Sequence, residues 1–107
     1  RLGYGTQIIM DIHSVKKLCK DIGEVKKYKV DYGFFGNIEL EIQTLHNVFL
    51  IITSDRGEFS CCIRKKHFFC DRLIPLCAIL KDDKRSFDSL KSIIDYLIIN
   101  LETIEKS

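Results

Sequence analysis

Residues 37–64 read NIELEIQTLHNVFLIITSDRGEFSCCIR, and this stretch decides the fold. Up to Gln43, apolar and charged or amide side chains alternate, which is the pattern of a β-strand with one buried and one solvated face. Residues 48–53 are apolar on both faces and predict a central strand. The Asp55-Arg56-Gly57 segment predicts a hairpin turn, because glycine adopts a positive φ without steric cost. Residues 59–64 then form the return strand.

The segment that precedes this block predicts a helix and one more strand. Between Met10 and Ile22, apolar side chains recur at helical spacing. Asp11 or Ser14 is the candidate N-cap, and Gly23 is the candidate residue that ends the helix. Residues 25–32 alternate with a period of two, which adds a strand.

The C-terminal part predicts two helices. Asp71 is the candidate N-cap of a short helix over about 73–80, with Pro75 in its first turn. A longer helix follows Ser86, since apolar residues recur every three or four positions over 87–104.

The order of these elements defines the fold class. One helix, three or four strands, a short helix and a long helix predict an α+β domain, with an antiparallel sheet and the helices packed on one face. We expect Tyr28, Phe49 and Cys62 on the face that the helices leave uncovered. The length suits one domain, which we place at residues 10–107. Residues 1–9, before the single methionine, are expected to be a vector-derived or disordered leader.

Composition and charge disfavour two classes of partner. There are 17 basic and 15 acidic residues, interspersed, for a net charge of +2. Nucleic-acid-binding modules usually carry a stronger and more clustered basic excess. The basic residues near Tyr28 and at 64–67 keep nucleic-acid binding as a third hypothesis. No apolar run is long enough for a bilayer, and no basic amphipathic helix indicates binding to a membrane.

The cysteines and histidines contain two weak candidates for chemistry. The five cysteines, an odd number without a secretory signal, favour reduced thiols and a cytoplasmic protein. Cys62, His67 and Cys70 form a C-x4-H-x2-C string, but no CxxC pair or second cluster supplies a fourth zinc ligand. Cys70 with His46 or His13 has no flanking signature of a nucleophile. We therefore expect buried structural cysteines, no metal and no cofactor.

The two glutamates of the alternating strand over residues 37–43 allow one further hypothesis of catalysis. Glu39 and Glu41 project from one strand face, about 7 Å apart, a separation that would suit paired carboxylates. A solvated strand face is the simpler explanation. The sequence also has no phosphate loop and no nucleophile elbow. We therefore predict no catalytic residue and no enzymatic activity.

Two stretches, 37–43 and 48–59, resemble small bacterial immunity proteins that neutralise polymorphic toxins, including those of contact-dependent growth inhibition. The remainder resembles them in layout only. The resemblance implies a cytosolic protein that binds one cognate toxin domain and blocks its active site or a cofactor surface. Toxin nucleases are often basic, so an acidic face is expected on the inhibitor. The residues assigned to partner binding are Glu39, Glu41, Asp55, Arg56 and Glu58.

A second class of function stays open at this point. A secretion chaperone or a dimeric adaptor would use the wide apolar face of the last helix. Such a homodimer would have Ile93, Ile98 and Ile99 at its seam.

Overall fold

The computed structural model describes residues 10–31, 37–66, 71–84 and 86–106, without the side chains of Lys66 and Asp71. Its elements follow the chain as α1 (Ile12–Leu18), β1 (Gly23–Asp31), β2 (Asn37–Thr44), β3 (Phe49–Asp55), β4 (Glu58–Lys66), β5 (Asp71–Pro75), α2 (Leu76–Leu80), α3 (Leu90–Ile99) and α4 (Leu101–Lys106). The leader expected at residues 1–9 lies outside the described residues.

The strands form one antiparallel sheet in the order β1-β2-β3-β4-β5, so each strand pairs with its neighbours in sequence. The described residues therefore form an α+β fold, as the sequence predicts. The expectation of three or four strands is wrong, since five are present in the described ranges. The register shifts between Val25 and Lys27, which places a bulge in edge strand β1.

All the helices bury side chains against the same face of the sheet. The core contains Leu40, Leu50, Ile52 and Ile63 from the strands, together with Ile94 of α3, and none of these side chains is exposed to solvent. Alternation along β2 to β4 sends every second side chain into this core. The intervening side chains therefore project from the opposite face.

Strand β5 replaces only the first residues of the short helix predicted over about 73–80, since residues 76–80 form helix α2, and Asp71, the predicted N-cap, begins the strand. Residues 71–75 pair with β4, and Cys62 lies opposite Pro75. Proline fits at the end of an edge strand, because it cannot donate a ladder hydrogen bond. Helix α2 begins only at Leu76 and has no side-chain cap. The helical spacing from Leu73 was misleading, since pairing with a distant strand decides the conformation here.

The long C-terminal helix is shorter than predicted and is divided. Phe87 is not helical, because its backbone exchanges two hydrogen bonds of 2.8 Å with Phe59 of β4. Helix α3 begins after Ser89, whose hydroxyl accepts a hydrogen bond from the Ser92 N–H. It ends at Asn100, whose side-chain amide donates to the Tyr96 carbonyl at 2.9 Å. A side-chain amide that bonds to the backbone competes with helix continuation, and α4 starts at the next residue.

Helix α1 is also shorter than the predicted 10–22. Asp11 caps it, since its carboxylate accepts a hydrogen bond from the Ser14 N–H at 2.8 Å. Gly23 does not end this helix but opens β1. A Cβ at Gly23 would lie 2.1 Å from the Gln43 carbonyl oxygen, so glycine is required by close contact between β1 and β2.

Two of the three residues expected on the uncovered face are there. Phe49 and Cys62 alternate with core residues and project away from the helices. Tyr28 was placed wrongly, because it packs against the core and its hydroxyl donates to the Met10 carbonyl at 2.7 Å. A tyrosine can be buried in this way when its hydroxyl finds a partner.

Candidate partner-binding surface

The face of the sheet opposite the helices is the first part of the candidate site, and we call it the open face. Its cross-strand rows are Glu39–Thr53–Ser60, Glu41–Ile51–Cys62 and Gln43–Phe49–Arg64. None of these side chains belongs to the cluster that receives every buried side chain of the described helices, although Ile51 is itself only 9% exposed. The open face therefore consists of strand residues that the described helices do not cover.

Glu41, predicted to bind a partner, is engaged within the sheet. Its two carboxylate oxygens accept hydrogen bonds from the Arg64 guanidinium at 2.6 and 3.4 Å. The Glu41 side chain is only 13% exposed, and that of Arg64 is 29% exposed. The Arg64 guanidinium also lies 6.0 Å from the centre of the Phe49 ring. This fork-shaped pairing fixes both side chains and neutralises the charge of Glu41.

Glu39 has a weaker partner on the neighbouring strand. The Lys27 Nζ lies 3.2 Å from a Glu39 carboxylate oxygen, and both side chains are more than 40% exposed. Lys29 stands directly opposite Glu39 in the β1–β2 register. The lysines of β1 therefore offset the acidic strand, and the open face has no strong negative field near β2.

The hairpin tip between β3 and β4 is the second part of the site, and it comprises Asp55 to Glu58. Arg56 has a φ of 54° and Gly57 a φ of 85°. Positive φ at both central residues is typical of a type I′ turn, so the predicted hairpin is confirmed. Periodicity gave no sign that Arg56 would also adopt a positive φ. Its N–H donates to the Asn37 side-chain oxygen at 3.1 Å, which holds the turn against β2.

A second hydrogen bond braces the same hairpin. The Ile38 N–H of β2 donates to the Ser54 hydroxyl oxygen at 2.8 Å. Because both ends of this contact are in the sheet, the tip is presented on a rigid support. Rigid turns of this kind bind partners with little loss of conformational entropy.

The carboxylates of Asp55 and Glu58 distinguish this tip chemically. The two residues are paired directly across β3 and β4, and both are exposed. Directly opposed like charges destabilise a strand pair. Within the described ranges, neither carboxylate has a hydrogen bond or ion pair. They are therefore carboxylates that can accept a cationic partner group.

The five predicted binding residues thus fall into two groups. Glu39 and Glu41 lie on the open face with cations already beside them, whereas Asp55, Arg56 and Glu58 form the exposed tip. No local sequence pattern indicates the Glu41–Arg64 pair, since its members are far apart along the chain and only the register of β2, β3 and β4 brings them together. Which of these residues binds a partner stays a prediction.

A third feature, missed by sequence reasoning, connects the β2–β3 turn to α4. Glu105 accepts hydrogen bonds from the His46 ring at 2.5 Å and from the His46 N–H at 3.2 Å. Burial raises the pKa of Glu105, but hydrogen bonds from His46 and Thr44 outweigh it, so the net pKa is lowered. A groove of about 610 Å³ lies beside this contact, and its described lining contains no cysteine, serine or threonine nucleophile.

Two of the described cysteines, Cys19 and Cys61, do not support a nucleophile, and no metal centre is found among the described residues. Burial raises the pKa of Cys19 to about 11 and that of Cys61 to about 12, so both are protonated at neutral pH. No three His, Cys, Asp or Glu side chains in the described ranges are placed to hold a metal ion. His67 and Cys70, from the C-x4-H-x2-C string, lie outside those ranges.

The proposed dimer seam on α3 needs one correction. Ile93 is fully buried in the core and is not a surface residue. Ile98 and Ile99 are 36% and 80% exposed, because they lie on the side of α3 that faces away from the sheet.

Comparison with protein-family models, with curated proteins and with solved structures gives no match to this chain. In the described residues, no helix has the length and apolar character that a membrane crossing requires. The resemblance to immunity proteins therefore depends on the two quoted sequence stretches alone.

Proposed function

We propose that this chain is an immunity protein that binds and neutralises a cognate bacterial toxin domain, with the hairpin tip as its main contact. The observation that carries the proposal is the pair of opposed, unpaired carboxylates of Asp55 and Glu58. A cationic group from a partner, placed between them, would remove their mutual repulsion and gain two charge-assisted hydrogen bonds.

The rest of the surface supports a secondary role for the open face. Phe49 and the neutralised Glu41–Arg64 pair present a fixed, mixed surface beside the tip. Such a surface contributes shape complementarity, while unpaired charges contribute specificity and association rate. Inhibition by this route needs no reactive group on the inhibitor.

The test first looks for a toxin-like reading frame immediately upstream of this gene and then uses the purified domain that this frame encodes. We expect the full chain to bind that domain and to protect cells that express it. The double variant Asp55→Asn with Glu58→Gln should weaken binding by about a hundredfold, because each of the two lost charged hydrogen bonds contributes on the order of 1.5 kcal/mol and about 1.4 kcal/mol corresponds to tenfold. The association rate and its dependence on salt should fall together.

A matched variant controls for the change in net charge. Asp83→Asn with Glu102→Gln removes the same two charges from exposed positions in the α2–α3 connection and in α4. It should leave binding unchanged. The tip variant should unfold at the same or a higher temperature than the wild type, because it removes a like-charge pair. A weaker complex can then be attributed to lost contacts.

Three results would count against the proposal. Equal binding by the tip variant would exclude the carboxylates as contacts. The absence of any complex or protection would exclude immunity towards that toxin. Capture of a neighbouring secretion effector instead would favour the chaperone alternative.

A further inference from the structure

A small cavity of about 180 Å³ lies at the sheet edge, where β5 ends and α2 begins. Three of the cysteines line it, together with Lys84 and Phe87. The cavity borders the open face, since Ser60 and Cys62 belong to both, but none of the hairpin-tip residues lines it. Three thiols around one opening call for a chemical explanation, because free cysteines are more often enclosed singly in a core.

The three thiols differ in their surroundings. Cys61 points into the core, is 6% exposed, and its thiol hydrogen bonds to the Cys62 carbonyl at 3.6 Å. Cys62 projects from the open face and is half-buried. Cys77, the second residue of α2, is also half-buried. Only Cys62 and Cys77 therefore combine partial exposure with a place in the cavity wall.

The chain path brings these two residues together. Cys62 pairs directly with Pro75 at the end of β5, and Cys77 follows Pro75 by two residues. Burial, and after it the negative charge of a Cys77 thiolate, raises the pKa of Cys62. A negative charge on Cys62 raises the pKa of Cys61, whereas Cys77 is not among the causes that shift the pKa of Cys61. Cys62 thus interacts with both other thiols, and Cys62 with Cys77 is the pair in which both side chains are partly exposed.

We propose that Cys62 and Cys77 form a redox-active dithiol site that a small disulfide such as glutathione disulfide oxidises to an intramolecular disulfide. The thiolate of one cysteine attacks a sulfur of glutathione disulfide, forms a mixed disulfide and releases one glutathione thiolate, which takes up a proton. The second cysteine then loses its proton, attacks the protein sulfur of the mixed disulfide and releases the second glutathione. Two protein thiols are oxidised, and one glutathione disulfide is reduced to two glutathiones.

The disulfide has a structural consequence. It links β4 to the start of α2 and closes the chain that runs through β5. Closing such a loop restricts the unfolded chain and raises stability. The oxidised form should therefore unfold several degrees above the reduced form.

The test incubates the full chain in glutathione buffers of defined oxidised-to-reduced ratio and maps the products by mass spectrometry. We expect a product lacking two hydrogen atoms, with a Cys62–Cys77 cross-link, that returns to the dithiol on reduction. Cys62→Ser and Cys77→Ser should each abolish it. Cys61→Ala and Cys70→Ser should retain it, which excludes the two alternative partners.

A second probe tests proximity without oxidation. Phenylarsine oxide bridges two neighbouring thiols, so one equivalent should bind the reduced protein and fail to bind either single serine variant. A cross-link through Cys61 or Cys70 would overturn the proposal. Glutathione adducts that persist separately at Cys62 and Cys77, with no bridging by the arsenical, would also overturn it.

Discussion

Glu41 and Arg64 form the most enclosed ion pair that the described residues contain, and it allows a prediction at the residue scale. The pair is fork-shaped and only 13% and 29% exposed, so water screens it incompletely. In a double-mutant cycle with Glu41→Gln and Arg64→Met, we expect a coupling free energy of about 1–2 kcal/mol. Urea unfolding of the four proteins measures it.

The exposed pair between Lys27 and Glu39 is the matched control for that cycle. Both of its side chains are more than 40% exposed, and surface ion pairs of this kind contribute little. Its coupling free energy should lie below about 0.5 kcal/mol. Equal coupling in the two cycles would mean that burial does not strengthen the Glu41–Arg64 pair, and Glu41 would then be free to serve a partner.

The same residues show what sequence could predict about the candidate site. Alternation correctly placed Glu41 on the solvated face of β2, and the same period of two puts Arg64 on that face of β4. It gave no indication that the two would meet, since that depends on the register of β3 between them. Likewise, Gly57 revealed the turn, whereas the positive φ of Arg56 follows from the type I′ geometry of the two-residue connection, which an arginine at this position does not indicate.

For helices and strands, local periodicity correctly predicted the elements whose own sequence has a helical or alternating pattern. It failed for segments whose conformation depends on pairing with a distant strand. The strands from β2 to β4 and the cap of α1 follow directly from spacing and turn chemistry. Strand β5 and the non-helical Phe87 both pair with β4, a contact that no local pattern records. The break between α3 and α4 arises because the side-chain amide of Asn100 donates a hydrogen bond to the Tyr96 carbonyl in α3.

The contact between α4 and the β2–β3 turn gives a pH-dependent prediction. The folded pKa of Glu105 is lowered from an ordinary value of 4.5 by His46 and Thr44, against the opposing effect of burial. A lowered folded pKa stabilises the protein above the ordinary value, and the stabilisation disappears as pH falls through the folded value. Glu105→Gln should therefore cost about 1 kcal/mol at pH 7.

The measurement for Glu105 is urea unfolding of both proteins between neutral pH and about pH 3. The stability difference should shrink as pH falls below 4.5 and Glu105 becomes protonated in the folded protein. A difference that persists unchanged at the lowest pH would show that the variant loses packing, not a charged hydrogen bond.

For the whole molecule, one core joins elements from both ends of the described chain. Cys19, at the C-cap of α1, and Cys61 of β4 belong to the same buried cluster, which also contains Ile104 of α4. If each helix packed on the sheet independently, each could unfold separately. Because the helices share one buried cluster, unfolding of one helix destabilises the others. The molecule should therefore unfold as a unit, although α1 contributes few of the buried residues.

The thiols of Cys19 and Cys61 can report whether unfolding is cooperative, because burial protects both from reagents in the folded state. After equilibration across a urea gradient, a short pulse of alkylating reagent labels whichever thiols are exposed, and peptide mapping locates the label. We expect Cys19 and Cys61 to become reactive with one midpoint, equal to the midpoint from circular dichroism. Labelling of Cys19 at a distinctly lower urea concentration would show that α1 opens independently. The sheet with α2, α3 and α4 would then be the cooperative unit that presents the hairpin tip.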